Sequence, residues 1–66
     1  MNDEELEKVY EWLEKYMNKQ NLFYFEYSSG SIIARWKIDD KPFAIFYPKV
    51  IYKIIKIQEW GKENND

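Results

Sequence analysis

The chain has 66 residues, 33% of them charged and 20% aromatic, with no cysteine and no histidine. That leaves one small domain, stapled by neither a disulfide nor the usual zinc ligands, and it removes thiol, imidazole and Ser-His-Asp chemistry from the mechanisms open to it. The net charge of −2 divides into −4 over residues 1–30 and +2 over residues 31–66, which describes two solvated faces or a polarity that orients a partner.

In chain order, Asn2 is placed to cap a helix, with Glu5 three residues later to reach back to the cap. Leu6, Val9, Tyr10, Leu13 and Met17 then recur at helical spacing, and Trp12 and Tyr16 widen the arc, so an amphipathic helix is expected over 3–19. Glu4, Glu7, Glu11 and Glu14 stripe the opposite side. Such a stripe is a solvated face in the plain reading and a phosphate mimic for a basic partner in the functional one.

Aromatic and β-branched residues crowd 22–28, 31–38 and 43–47, which read as three strands of an antiparallel meander. Ser29-Gly30 supplies a two-residue hairpin loop, pairing Ser28 with Ser31 and Phe23 with Trp36. A second two-residue loop at Asp40-Lys41 would oppose Ile38 to Phe43 and Trp36 to Ile45, making Phe23, Trp36 and Ile45 a core layer. On the other side Tyr24, Arg35 and Phe46 then form a row, with Ile33 and Lys37 beside it.

Pro48 ends the third strand. Over 49–60, Val50, Ile51, Ile54, Ile55 and Ile57 fill one helical arc opposite Lys49, Lys53 and Lys56, while the β-branched content is that of a strand. A helix is the expectation and a strand the alternative, with Gly61 just past the end and 62–66 a frayed tail. The whole is a single α+β domain over 1–66, in the order α-β-β-β-α, with both helices on one face of the sheet.

That order over residues 3–60 resembles the double-stranded RNA-binding domain. In that family a lysine cluster opens the second helix and contacts phosphates. Here the matching start is Pro48-Lys49-Val50-Ile51, with one lysine in place of a cluster, so the resemblance implies the fold and does not carry the function.

No phosphate-binding glycine loop is present, and Asp39 and Asp40 sit where turns use aspartate for backbone hydrogen bonds, so neither an enzyme, a cofactor nor a small-molecule substrate is expected. The longest apolar run, 43–47, is far below the ~20 residues of a membrane span, and the lack of cysteine fits the cytoplasm. The expected role is non-enzymatic protein–protein association, of the inhibitor or adaptor kind that viruses and mobile elements also make. Its partner is a host protein or a second copy in a homodimer, met by Tyr24, Ile33, Arg35, Lys37 and Phe46. The alternative is nucleic-acid binding through Arg35, Lys49, Lys53 and Lys56.

Overall fold

The structure, a computed structural model, describes residues 1–64. Five elements follow one another: α1 (Asp3–Tyr16), β1 (Phe23–Ser28), β2 (Ser31–Trp36), β3 (Pro42–Phe46) and α2 (Pro48–Asn64). The strands form one antiparallel sheet in the order β1-β2-β3, and both helices bury their apolar sides with the same sheet face.

α1 starts at the expected capping box. The Asn2 side chain accepts from the Glu5 N–H at 2.8 Å, and Glu5 Oε1 accepts from the Asn2 N–H at 3.3 Å. The helix stops at Tyr16 rather than at 19, because Asn18 is drawn into the sheet. Its side-chain oxygen accepts from the Phe23 N–H and its amide nitrogen donates to the Phe23 carbonyl, both at 2.9 Å, so one buried side chain pairs with β1 as a neighbouring strand would. The same amide nitrogen donates to Glu14 at 3.0 Å, tying the last turn of α1 to the start of the sheet.

The first hairpin has the expected register, with Ser28 opposite Ser31 and Phe23 opposite Trp36. Ser29 (φ 51°) and Gly30 (φ 79°) both take the left-handed conformation that a tight two-residue hairpin turn demands. The second connection differs from expectation. β2 ends at Trp36, and residues 37–41 form a wider loop in which Asp40 alone turns left-handed (φ 66°). The Asp40 N–H donates to the Trp36 carbonyl at 2.8 Å, the Trp36 N–H to the Lys41 carbonyl at 2.9 Å, and Asp39 Oδ1 accepts from the Lys41 N–H at 3.1 Å. A two-residue loop would have required either positive φ at Lys41, as in a type I′ turn, or the glycine-type backbone of a type II′ turn at Asp40, and neither residue takes these readily.

This longer loop changes the register of β3. Ile32 lies opposite Phe46, Ile33 opposite Ile45 and Ala34 opposite Ala44, after which a bulge between Ala34 and Arg35 brings Arg35 opposite Pro42. Phe46 therefore faces the helices, and Ile45 faces away. In place of the expected core layer of Phe23, Trp36 and Ile45, the rings of Phe23, Trp36 and Phe43 form a cluster at the rim of the core, with centroids 4.6 to 5.2 Å apart and Phe43 53% exposed. Ile38, expected in a strand, sits at the loop tip and is 91% exposed.

The core is thin. Val9 and Leu13 of α1, Ile32 of β2, and Ile51 and Ile55 of α2 form its buried cluster, with Phe25, Phe46 and Tyr52 packed against it. Each fully buried aliphatic contributes about 1.5 to 3 kcal/mol of transfer free energy. Burial also pushes the Tyr10 hydroxyl above the ordinary tyrosine range, with Tyr27 adding to the shift.

The segment after Pro48 is a helix, not a strand, and it runs to Asn64. Gly61 lies inside it instead of ending it, and Lys62 and Glu63, expected in the frayed tail, are helical. The last two residues of that tail, 65 and 66, lie outside the described residues. The helices are joined by Trp12, whose indole N–H donates to Gln58 Oε1 at 3.1 Å, and by Lys8 and Glu59 at 4.0 Å.

Candidate functional site

Strand alternation puts Tyr24 and Glu26 of β1, Ile33 and Arg35 of β2, and Ile45 of β3 on the sheet face turned away from the helices. Tyr24 is paired with Arg35, and Ile33 lies between Glu26 and Ile45, so the five side chains form one patch. Ile45 is 59% exposed and Tyr24 36%.

Arg35, the single arginine of the chain, is held at the centre. Its Nε lies 3.5 Å from Glu26 Oε1 on the neighbouring strand, and its Nη1 donates to the Asp40 carbonyl at 3.1 Å. This corrects the expected row of Tyr24, Arg35 and Phe46, because Phe46 points to the opposite side of the sheet. An ion pair this exposed stabilises the fold by no more than about 1 kcal/mol. Its larger effect is to orient the guanidinium and neutralise its charge, leaving an apolar surface with a fixed polar centre. Lys37 follows β2, and its amino group donates to Asn21 Oδ1 at 2.7 Å, bracing the approach to β1.

The lysines of α2 are on the other side of the molecule from Arg35, since α2 packs on the helix-bearing face. Lys49 and Lys53 are exposed. Lys56 lies over the Tyr52 ring at 5.4 Å and 3.7 Å from Glu59 Oε2. The Tyr52 hydroxyl first, and then Glu59, raise its pKa. The fold thus separates the four residues of the nucleic-acid alternative into two groups. Among the described residues no cluster of three or more acidic side chains converges as a metal site, and no helix is long and apolar enough to cross a membrane.

No protein-family model, curated protein or solved structure matches this chain. The chemistry of the outer face follows from its own side chains. It offers branched aliphatic area, one tyrosine with a polar tip, and a guanidinium already paired within the chain.

One residue of this patch is not reached from the sequence, since Ile45 falls in the core if the second loop is short. The first hairpin does place Glu26 on this face opposite Ile33, but no motif signals its ion pair with Arg35. A second apolar surface, on α2, is hidden in the same way. Val50, Ile54 and Ile57 are all exposed, and only Ile51 and Ile55 of the expected arc are buried. The doubled pairs Val50-Ile51 and Ile54-Ile55 carry the signal, since a helix with neighbouring apolar residues in successive turns has more apolar width than one packing face needs.

Proposed function

We propose that the protein is a non-enzymatic binding module that works by protein–protein association, as an inhibitor or adaptor in the cytoplasm, through the outer sheet face. The observation that carries this reading is exposed Ile45 and Tyr24 on one sheet face with half-buried Ile33 and the internally paired Arg35 between them. Exposed aliphatic and tyrosine area around a half-buried, oriented arginine is the composition that interface hot spots favour. A flat sheet face also meets a partner without prior rearrangement.

The test compares capture of partners by the wild-type chain and by an Ile45→Glu variant whose circular dichroism shows an unchanged fold. The expected outcome is a partner protein retained by the first and lost by the second, while Lys53→Glu on α2 has no effect. If Ile45→Glu folds and keeps every partner, the proposal fails. Titration with RNA and DNA at low salt is expected to show no binding. Tight binding that weakens steeply with salt would favour the lysine surface instead.

A further inference from the structure

The direction of each backbone group in β1 follows from one bond at the end of the first hairpin. The Lys37 N–H donates to the Leu22 carbonyl at 2.9 Å, so these two residues face each other as a hydrogen-bonded pair, and every second pair along the hairpin repeats the pattern. Tyr24 with Arg35, Glu26 with Ile33 and Ser28 with Ser31 therefore spend their backbone groups on one another. Phe23, Phe25 and Tyr27 alternate with them. Their N–H and carbonyl groups point out of the sheet, on the side where β1 has no neighbouring strand.

Asn18 fills the first of these places. Its carboxamide bonds to both backbone groups of Phe23, as the peptide group of an adjoining strand would. Among the described residues nothing bonds to the outward groups of Phe25 and Tyr27. The other edge of the sheet is blunted: β3 starts at Pro42, carries the bulge opposite Ala34 and Arg35, and gives way to α2 at Pro48. β1 has neither proline nor bulge, and Asn18 closes it at one end only.

We propose that the open part of the β1 edge receives an extended segment of another protein, added antiparallel as a fourth strand opposite Phe25, Glu26 and Tyr27, with a lysine or arginine at its centre and an apolar residue on each side. The outward backbone groups call for an extended chain, which presents donors and acceptors at the same repeat. Charge then chooses among extended chains. Glu26 lies between the two open places, and the residue opposite it forms a non-hydrogen-bonded pair, in which side chains on one face come closest. The Glu26 side chain is 52% exposed, and Arg35 engages its Oε1, which leaves Oε2 for a cation on the incoming strand. A second copy of β1 in this register would set Glu26 against Glu26, two like charges directly opposite, so charge disfavours a second copy here.

The two flanking residues of the segment fall beside Phe25 and Tyr27, on the helix-bearing face. Phe25 packs against the core cluster and Tyr27 is 47% exposed, so apolar side chains at these places widen the cover of a thin core. Asn18 limits the length, because it occupies the edge at Phe23 and leaves room opposite residues 24–28. The site is the edge of the sheet, not its outer face, and the proposal stands apart from the association reading.

The experiment is an NMR titration of the full chain at low salt with three capped peptides. The first is Ser-Val-Lys-Val-Ser, the second has glutamate in place of lysine, and the third is the lysine peptide N-methylated at both valines, which removes the donors to the Phe25 and Tyr27 carbonyls. In the free protein the Phe25 and Tyr27 amides are expected to exchange rapidly with solvent, and the Glu26 amide, bonded to β2, slowly. The lysine peptide is expected to bind with a dissociation constant of about 1 mM, the range left to a few backbone bonds after the cost of ordering, and to slow exchange at Phe25 and Tyr27. The glutamate peptide is expected to bind about 5- to 10-fold more weakly, and the methylated one not at all. Glu26→Gln, with its fold checked by circular dichroism, is expected to remove the preference for lysine. Ile45→Glu, on the far strand, is expected to leave peptide binding unchanged, which separates this site from the outer sheet face. Phe25 and Tyr27 amides that are already protected in the free protein overturn the proposal, as do shifts that the methylated peptide reproduces, equal binding of the two charges, or no shifts at about ten times the expected dissociation constant. Protection that grows with protein concentration alone also overturns it, by placing a second copy on the edge.

Discussion

Asn18 shows how much of this small fold rests on one polar side chain. It is 5% exposed, and it satisfies both the N–H and the carbonyl of Phe23, an edge-strand residue with no other strand on that side. In Asn18→Ala those two backbone groups remain buried without partners, and each costs about 1 to 3 kcal/mol. The variant is expected to lose about 2 to 4 kcal/mol in urea unfolding, a large share of the ~3 to 10 kcal/mol typical of a chain this long. Tyr10 makes a different contribution at the same scale. Its folded pKa is raised above the ordinary tyrosine value of 10.0, mainly by burial and then by Tyr27, so the protein favours the neutral phenol. The linked stability is fully present below pH 10.0 and is lost as pH rises through the higher folded value. Melting temperature followed from about pH 8 to about pH 11 is therefore expected to fall at the alkaline end, and the fall is expected to be shallower in Tyr10→Phe, which has no proton to lose.

At the scale of elements, the turn residues decide which parts of the architecture are legible in the sequence. Ser29-Gly30 can take positive φ twice, so the first hairpin and the Tyr24–Arg35 pairing can be read from the residues alone. Asp40-Lys41 cannot do so cheaply, and the corner takes a wider loop over 37–41. The strand order survives that change but the facing of β3 does not, so Ile45 and Phe46 exchange sides. The candidate face is legible at Tyr24, Ile33 and Arg35, which depend on the first turn, and illegible at β3, which depends on the second. Asn18 is illegible for another reason, because a side chain imitating a strand leaves no periodic trace. In α2 the expected stop at Gly61 is overridden, and the helix continues to Asn64 with a residue that lowers helix stability. Gly61→Ala meets open space and has no left-handed backbone to strain. It is expected to stabilise the isolated chain by about 0.5 to 1 kcal/mol, measured by denaturation at micromolar concentration.

For the whole molecule, a thin core and an extended shape belong to one physical problem. A chain of this length buries only about 60% of its unfolded surface, and this one has no disulfide to compensate. Its aromatic residues are drawn on heavily, yet Phe43, Tyr47 and Trp60 stay more than half exposed, as do Ile45, Val50 and Ile57. Leaving so much apolar area on two surfaces is unfavourable for a monomer and favourable for a molecule that completes itself by association. The consequence is a folding equilibrium that depends on protein concentration. If two chains unfold from one dimer, each tenfold increase in concentration adds about 1.4 kcal/mol per dimer to the stability of the native state. With an unfolding entropy near 2.1 cal/mol/K per residue summed over both chains, that corresponds to a rise of about 5 °C in melting temperature per tenfold. Calorimetry over two decades of concentration is expected to show this slope for the wild type. Ile57→Glu, which removes exposed apolar area from α2, should reduce this slope if that surface carries the association. Ile45→Glu should reduce it instead if the outer sheet face carries the association. A flat dependence in the wild type means that the chain is stable alone at these concentrations.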